Sequence, residues 1–146
     1  MTAGANPVIT ARFLGVPPLP DLLAGLRILV LEDEFLIAMD VEQICRDHGA
    51  ADVRIVRSLS EVESGQPLPD CDAAILDVML AGQSTLDFAD RLAQAGLPFI
   101  FASGYAESRE IAVRFPGVDI VGKPYSGDDL VQALARACLR SEPDGL

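Results

Sequence analysis

The sequence predicts a doubly wound α/β domain built on a five-stranded parallel sheet. Two observations lead there. Five short apolar runs, at residues 27–31, 53–56, 73–76, 98–102 and 118–121, have the length and near-continuous hydrophobicity of strands in a parallel sheet. Segments with helical periodicity separate them by short connections. Such a β/α alternation folds through right-handed crossovers into a parallel sheet with helices on both faces.

Composition narrows the class. A chain of 146 residues, half of them hydrophobic, is long enough to bury a sizeable core as one domain. No apolar run approaches the roughly 18 residues of a membrane span. The N-terminus lacks the basic-then-apolar pattern of a signal peptide. Cys45, Cys71 and Cys138 form no CxxC pair and read as small buried hydrophobes of a reducing compartment, so a cytoplasmic protein is expected. The net charge of −11, from 22 acidic and 11 basic residues, argues against binding a nucleic-acid backbone. Lys123 is the sole lysine among those basic residues. A compact ammonium suits phosphate as a point charge, which an arginine fork does not replace.

The elements follow in order. Residues 1–24, with Pro7, Pro17, Pro18 and Pro20, read as an extended arm, partly ordered by packing against the domain. Strand one (27–31) ends in Glu32-Asp33-Glu34. The helix from Phe35 places Ile37, Val41, Ile44 and Cys45 on one face and stops at His48-Gly49. His48 is the only histidine, and its place in the last turn suits the helix dipole, leaving no histidine-based catalytic pair. Residues 53–56 read as an edge strand. Ser58 with Glu61, and Ser60 with Glu63, have capping-box spacing and open a short helix. Strand three (73–76) is closed by Asp77, and a loop runs to Gly82. Ser84 with Asp87 caps a helix to about Ala95. Strand four (98–102) ends in Ser103-Gly104-Tyr105, and a short, weakly amphipathic helix is expected over 107–115. Strand five (118–121) ends in Gly122-Lys123-Pro124. Ser126 with Asp129 caps a last helix whose stripe is Leu130, Leu134, Ala137 and Cys138. The domain thus spans 25–140, with a loose tail at 141–146.

In a doubly wound sheet of order 2-1-3-4-5, the order expected here, ligands bind outside the carboxyl ends of the strands, at the switch point between strands one and three. Glu32 and Asp33, Asp77, Ser103 and Lys123 all stand at such ends. A lone Asp closing a strand is more often a simple cap; four matching strand ends shift the balance toward chemistry. Three carboxylates repel unless a cation joins them, and few hard oxygen ligands suit Mg2+. Asp77 can then act as a nucleophile toward phosphorus, as carboxylates do in aspartyl phosphates. Lys123 and Mg2+ would neutralise the phosphoryl oxygens, with the Ser103 hydroxyl as a neutral donor.

The acidic pair, the Asp, the Ser and the Lys-Pro, in this order and spacing over about residues 26–140, resemble the response-regulator receiver domains of two-component signalling, a flavodoxin-like (βα)5 fold. The resemblance implies that Asp77 is the phosphoacceptor. It implies that Asp33, Asp77 and the backbone carbonyl of Met79 ligate Mg2+, with Glu32 acting through water. Ser103 and Lys123 would contact the phosphoryl group, and the Lys123–Pro124 bond would be cis. The donor would be a sensor histidine kinase or a histidine phosphotransfer protein. Output would be altered protein–protein interaction, or the chain would serve as a phosphate sink, with neither nucleic acid nor membrane as partner. Such a domain is not an enzyme beyond its own phosphorylation and dephosphorylation. No output domain follows residue 140, and a stand-alone receiver and a fragment of a larger protein are equally compatible with this. Receivers usually carry an aromatic three residues before the lysine; here Ile120 stands there. Phe101-Ala102-Ser103-Gly104-Tyr105 looks like the FATGUY subfamily, which lacks that aromatic, so Tyr105 becomes a candidate mover in the switch. Met79 and Tyr105 stand where receivers tune hydrolysis. A haloacid-dehalogenase-type phosphatase also uses an Asp nucleophile, but needs a second Asp two residues later, where Met79 stands. A flavodoxin-like cofactor binder would need a Ser/Thr-rich phosphate loop that is missing.

Overall fold

The computed structural model describes residues 21–103, 108–123 and 126–141. β1 (Arg27–Leu31), β3 (Ala73–Asp77) and β6 (Phe99–Ser103) are buried almost throughout, as their unbroken apolar runs require of central strands. β2 (Asp52–Val56), with Arg54 exposed, lies at one edge, and β7 (Ile120–Gly122) lies at the other. The five strands pair in parallel in the order β2-β1-β3-β6-β7. Counting only this sheet, that is the predicted 2-1-3-4-5.

Alternation along the strands builds two core layers. Leu29, Leu31, Leu76, Phe99 and Phe101 face α2 (Leu86–Gln94) and α3 (Ser108–Arg114) through Phe88, Leu92, Ile111 and Phe115. Ile28, Val30, Ile75 and Ile100 face α1 (Phe35–Asp47) and α4 (Gly127–Ser141) through Val41, Cys45, Leu130 and Leu134. Burial pushes the Cys45 thiol up to about 12 and the Cys71 thiol up to about 11, in keeping with packing rather than reactive roles. Among the described residues no helix is long and apolar enough to cross a membrane.

Four local details differ from the sequence expectations. The segment after β2 is only a 3-10 turn, Leu59–Val62. Ser58 and Glu61 form the capping box, while Ser60 Oγ bonds Ser58 Oγ instead of opening a second one. The stretch from Asp77 to Gly82 is no plain loop: β4 (Met79–Leu80) and β5 (Gln83–Ser84) form a hairpin about Ala81 and Gly82, both at positive φ. β7 begins two residues late, because the Val118 amide closes the turn after α3 on the Phe115 carbonyl. Within residues 1–24, read from sequence as an arm, Leu23 is fully buried and its amide bonds the His48 carbonyl. Gly49 makes that contact possible: its φ is +95°, and a Cβ there would lie 2.9 Å from Asp21 Cβ. His48 Nδ1 lies 3.0 Å from the Ile44 carbonyl at the helix end, the position expected for it.

Candidate functional site

Parallel pairing sets the carboxyl ends of the central strands level. Leu31 pairs with Leu76, Asp77 with Ala102, and Ser103 with Gly122. The residues at these ends, or one step past them, are Glu32, Asp77, Ser103 and Lys123. The ladder holds two of them by backbone: Glu32 N–H donates to the Val56 carbonyl, and Lys123 N–H to the Ser103 carbonyl.

The sole lysine is the centre of the side-chain network. Lys123 Nζ donates to Glu32 Oε1 at 3.2 Å and to Asp77 Oδ2 at 3.0 Å. Glu32 is 2% exposed, and its other oxygen accepts the Glu34 amide at 3.0 Å. Burial raises the Glu32 carboxyl above its ordinary value, against the pull of the Glu34 amide and of Lys123. Burial also opposes the charge on Lys123, yet the hydrogen bond and charge of Asp77, followed by those of Glu32, outweigh it and raise its pKa. Ser103 is buried at the end of β6.

Glu32, Asp33 and Asp77 each offer a carboxylate oxygen within 4.8 Å of the others. One ammonium against three carboxylates leaves two formal negative charges uncompensated, and every donor is a hard oxygen. This donor set fits a small divalent cation such as Mg2+. The Met79 carbonyl is compatible with the same role. Thr85 N–H donates to the Val78 carbonyl, a ladder bond of the hairpin. The next opposed pair, Met79 with Ser84, is therefore of the non-bonded kind, and the Met79 carbonyl is not consumed by β5. The Met79 side chain is exposed.

Of the other predicted residues, Ile120 is half-buried beside Phe101 and packs on the aromatic cluster of Phe99, Phe101 and Phe115. Tyr105 and the Lys123–Pro124 bond lie outside the described residues. Two contributors escape sequence reasoning. Arg57 Nη2 donates to the Asp33 carbonyl at 3.2 Å, with its guanidinium 5.9 Å from the centre of the Phe35 ring, which braces the loop between β1 and α1. Thr85, fully buried, donates its hydroxyl to the Asp77 carbonyl at 2.7 Å. Neither carries a spacing signal, because both contacts are made to backbone carbonyls of other segments.

The fold and this edge define a class: an open α/β domain whose parallel sheet presents an acidic, lysine-bridged pocket at its carboxyl ends. The sequence model of the response regulator receiver domain matches residues 28–135, and the chain belongs to that family. Among solved structures it is similar to a response regulator receiver protein from Sinorhizobium medicae WSM419, at 24% identity over 81% of this chain and 98% of that one, TM-score 0.66. The receiver domain of the Erythrobacter litoralis PhyR response regulator matches at 25% identity over 84% and 98%, TM-score 0.64. A mutant of the anti-anti-sigma factor PhyR from Bartonella quintana matches at 22% identity over 95% of this chain, TM-score 0.66, and this chain spans 64% of its length. No curated protein matches the sequence.

Proposed function

We propose that the protein is a phosphoacceptor: Asp77 takes a phosphoryl group from a sensor histidine kinase or a histidine phosphotransfer protein, with Mg2+ as cofactor. The observation that carries this reading is the Lys123 ammonium shared by Glu32 and Asp77, with an Asp33 oxygen in the same cluster. A carboxylate oxygen of Asp77 forms a bond to phosphorus as the P–N bond of a phosphohistidine breaks, and the leaving imidazole keeps the electron pair. Lys123 offsets negative charge on the phosphoryl oxygens, and Ser103 supplies a hydroxyl donor. Asp33, Asp77 and the Met79 carbonyl hold the cation, with Glu32 acting through water. When bound, magnesium balances the charge of the acids and of the phosphoryl oxygens.

Phe35, Leu36, Met39 and Met79 are exposed near this edge and suit a protein donor better than a small metabolite. Output runs through altered protein–protein interaction or phosphate withdrawal, and the domain catalyses only its own phosphorylation and dephosphorylation. It occupies residues 25–140 and works in the cytoplasm. Ile120 in place of an aromatic, together with the Phe101–Tyr105 stretch of the sequence, supports a FATGUY-type switch in which phosphorylation acts on the segment from 104 to 117, with Tyr105 as the candidate mover. Unchanged amide exchange there on adding a phosphoryl mimic would remove that part of the reading. Nothing favours the phosphatase alternative, since Met79 stands where its second acid belongs.

Intact mass after incubation with Mg2+ and acetyl phosphate tests the core claim. Wild type should gain one phosphoryl group and Asp77→Asn none. An unlabelled wild type would overturn it.

A further inference from the structure

We infer that Thr85 is a positioning residue for phosphoryl transfer, its hydroxyl pinning the backbone carbonyl of Asp77; this rests on Asp77 being the acceptor. Thr85 stands at the N-cap of α2, its carbonyl accepting the Ala89 amide at 2.9 Å. A threonine there ordinarily turns its oxygen onto the amide two or three residues ahead, which stabilises the helix start. Thr85 makes no such bond. Its hydroxyl points back along the chain, 2.7 Å from the Asp77 carbonyl and 3.1 Å from the Val78 carbonyl. Ser84 Oγ accepts the Leu86 amide instead, at 3.2 Å. A residue that forgoes a local preference while fully buried marks a place where another demand prevails.

That demand is legible in the geometry. Thr85 ties three pieces together: the end of β3 through its hydroxyl, the hairpin through its amide on Val78, and α2 through its carbonyl. α2 is itself fixed in the core by Leu86, Phe88, Ala89 and Leu92. The acceptor's peptide is thereby anchored to a packed helix rather than left to an exposed turn. Rotation about residues 77–79 would move the Asp77 carboxylate off Lys123 and swing the Met79 carbonyl. The Thr85 hydroxyl adds to the restraint that the pairing with β6 and the Thr85 amide already place on these residues, and the shorter of its two contacts goes to the acceptor itself.

Two substitution pairs isolate that proton in the full chain. Threonine and valine share a shape, and serine and alanine share a smaller one; each pair differs by the hydroxyl alone. The readouts are Mg2+ affinity without phosphoryl donor, followed by amide chemical shifts, and the initial rate of labelling by acetyl phosphate. Loss of a group that orients a metal ligand costs roughly tenfold in affinity, so Thr85→Val should weaken Mg2+ about tenfold relative to wild type. Thr85→Ala should do the same relative to Thr85→Ser, with labelling slowed in step. Thr85→Ser should stay within about twofold of wild type, since it keeps the donor. If Thr85→Val fails to fold, the serine–alanine pair decides alone. Equal Mg2+ affinity within the folded pairs, or serine as impaired as alanine, would overturn the inference while a labelled wild type left Asp77 as acceptor. A wild type that takes neither Mg2+ nor phosphate would overturn both.

Discussion

Replacing Lys123 by methionine keeps the aliphatic stem and removes the one positive charge between Glu32 and Asp77. In the wild type the ammonium lies 3.2 and 3.0 Å from the two carboxylates, and the Lys123, Glu32 and Asp77 side chains are 22%, 3% and 15% exposed. Removing one partner of a buried pair costs about 3–5 kcal/mol, because the charge left behind has neither partner nor water. Water reaches part of Lys123 and Asp77, which places the loss lower, at about 2–3 kcal/mol near neutral pH. Glu32 sets the pH dependence. Burial already holds its carboxyl above the ordinary 4.5, and Lys123 works against that rise. Without the ammonium the folded-state value moves further up. A carboxyl raised by folding contributes stability that is fully present below the unfolded value and lost as pH rises through the folded one. The deficit of the methionine variant should therefore be small near the ordinary carboxyl range and widen toward neutrality. Urea denaturation across that interval measures it. Mg2+ should stabilise the variant more than the wild type: acids freed of the ammonium attract the cation more strongly, and a ligand bound only by the folded state adds stability that grows with the logarithm of its affinity. A deficit below about 0.5 kcal/mol that stays flat with pH would refute the argument, because it would mean that Lys123 does not compensate buried carboxylates.

Two further outcomes test the frame around the pocket. Ala81 holds a φ of +49° at the hairpin tip, so Ala81→Gly should stabilise the protein by about 0.5 kcal/mol, seen as a raised urea midpoint at unchanged slope; a lowered midpoint would contradict the turn assignment. Arg27 binds Asp72 through its backbone amide at 2.8 Å and through its guanidinium at 3.1 Å, and the side-chain hydrogen bond is the main reason the Asp72 carboxyl is held below its ordinary 3.8. That contribution is present above 3.8 and lost as pH falls through the folded value, so Arg27→Ala should flatten the acid limb of the stability curve; an unaltered acid limb would contradict the coupling.

How much of this was legible beforehand differs by kind of feature. The five strands of the main sheet were readable because each is an apolar run too short for a helix and flanked by turn residues. The boundaries that moved did so for want of a long-range partner. Residues 118 and 119 have strand-like composition, yet the Val118 amide closes a turn on Phe115, and β7 starts at Ile120. Val78, Met79 and Leu80 gave no period to distinguish loop from hairpin. Ser60 and Glu63 had capping spacing but only one helical turn to cap.

By itself the sequence determined the five strands of the main sheet, their alternation with helices and the placement of Glu32, Asp33, Asp77, Ser103 and Lys123 at or just past strand ends, since chain-local hydrophobicity and flanking turn residues are enough for those. Only the tertiary structure decided who touches whom. Lys123 is 91 residues from Glu32 and 46 from Asp77, and its choice of both follows from the lateral register of β1, β3 and β7. Thr85 could have capped its own helix; the hairpin turned it so that its hydroxyl met the Asp77 carbonyl first. Hydrogen bonds are won by proximity across the sheet, and spacing along the chain does not encode it.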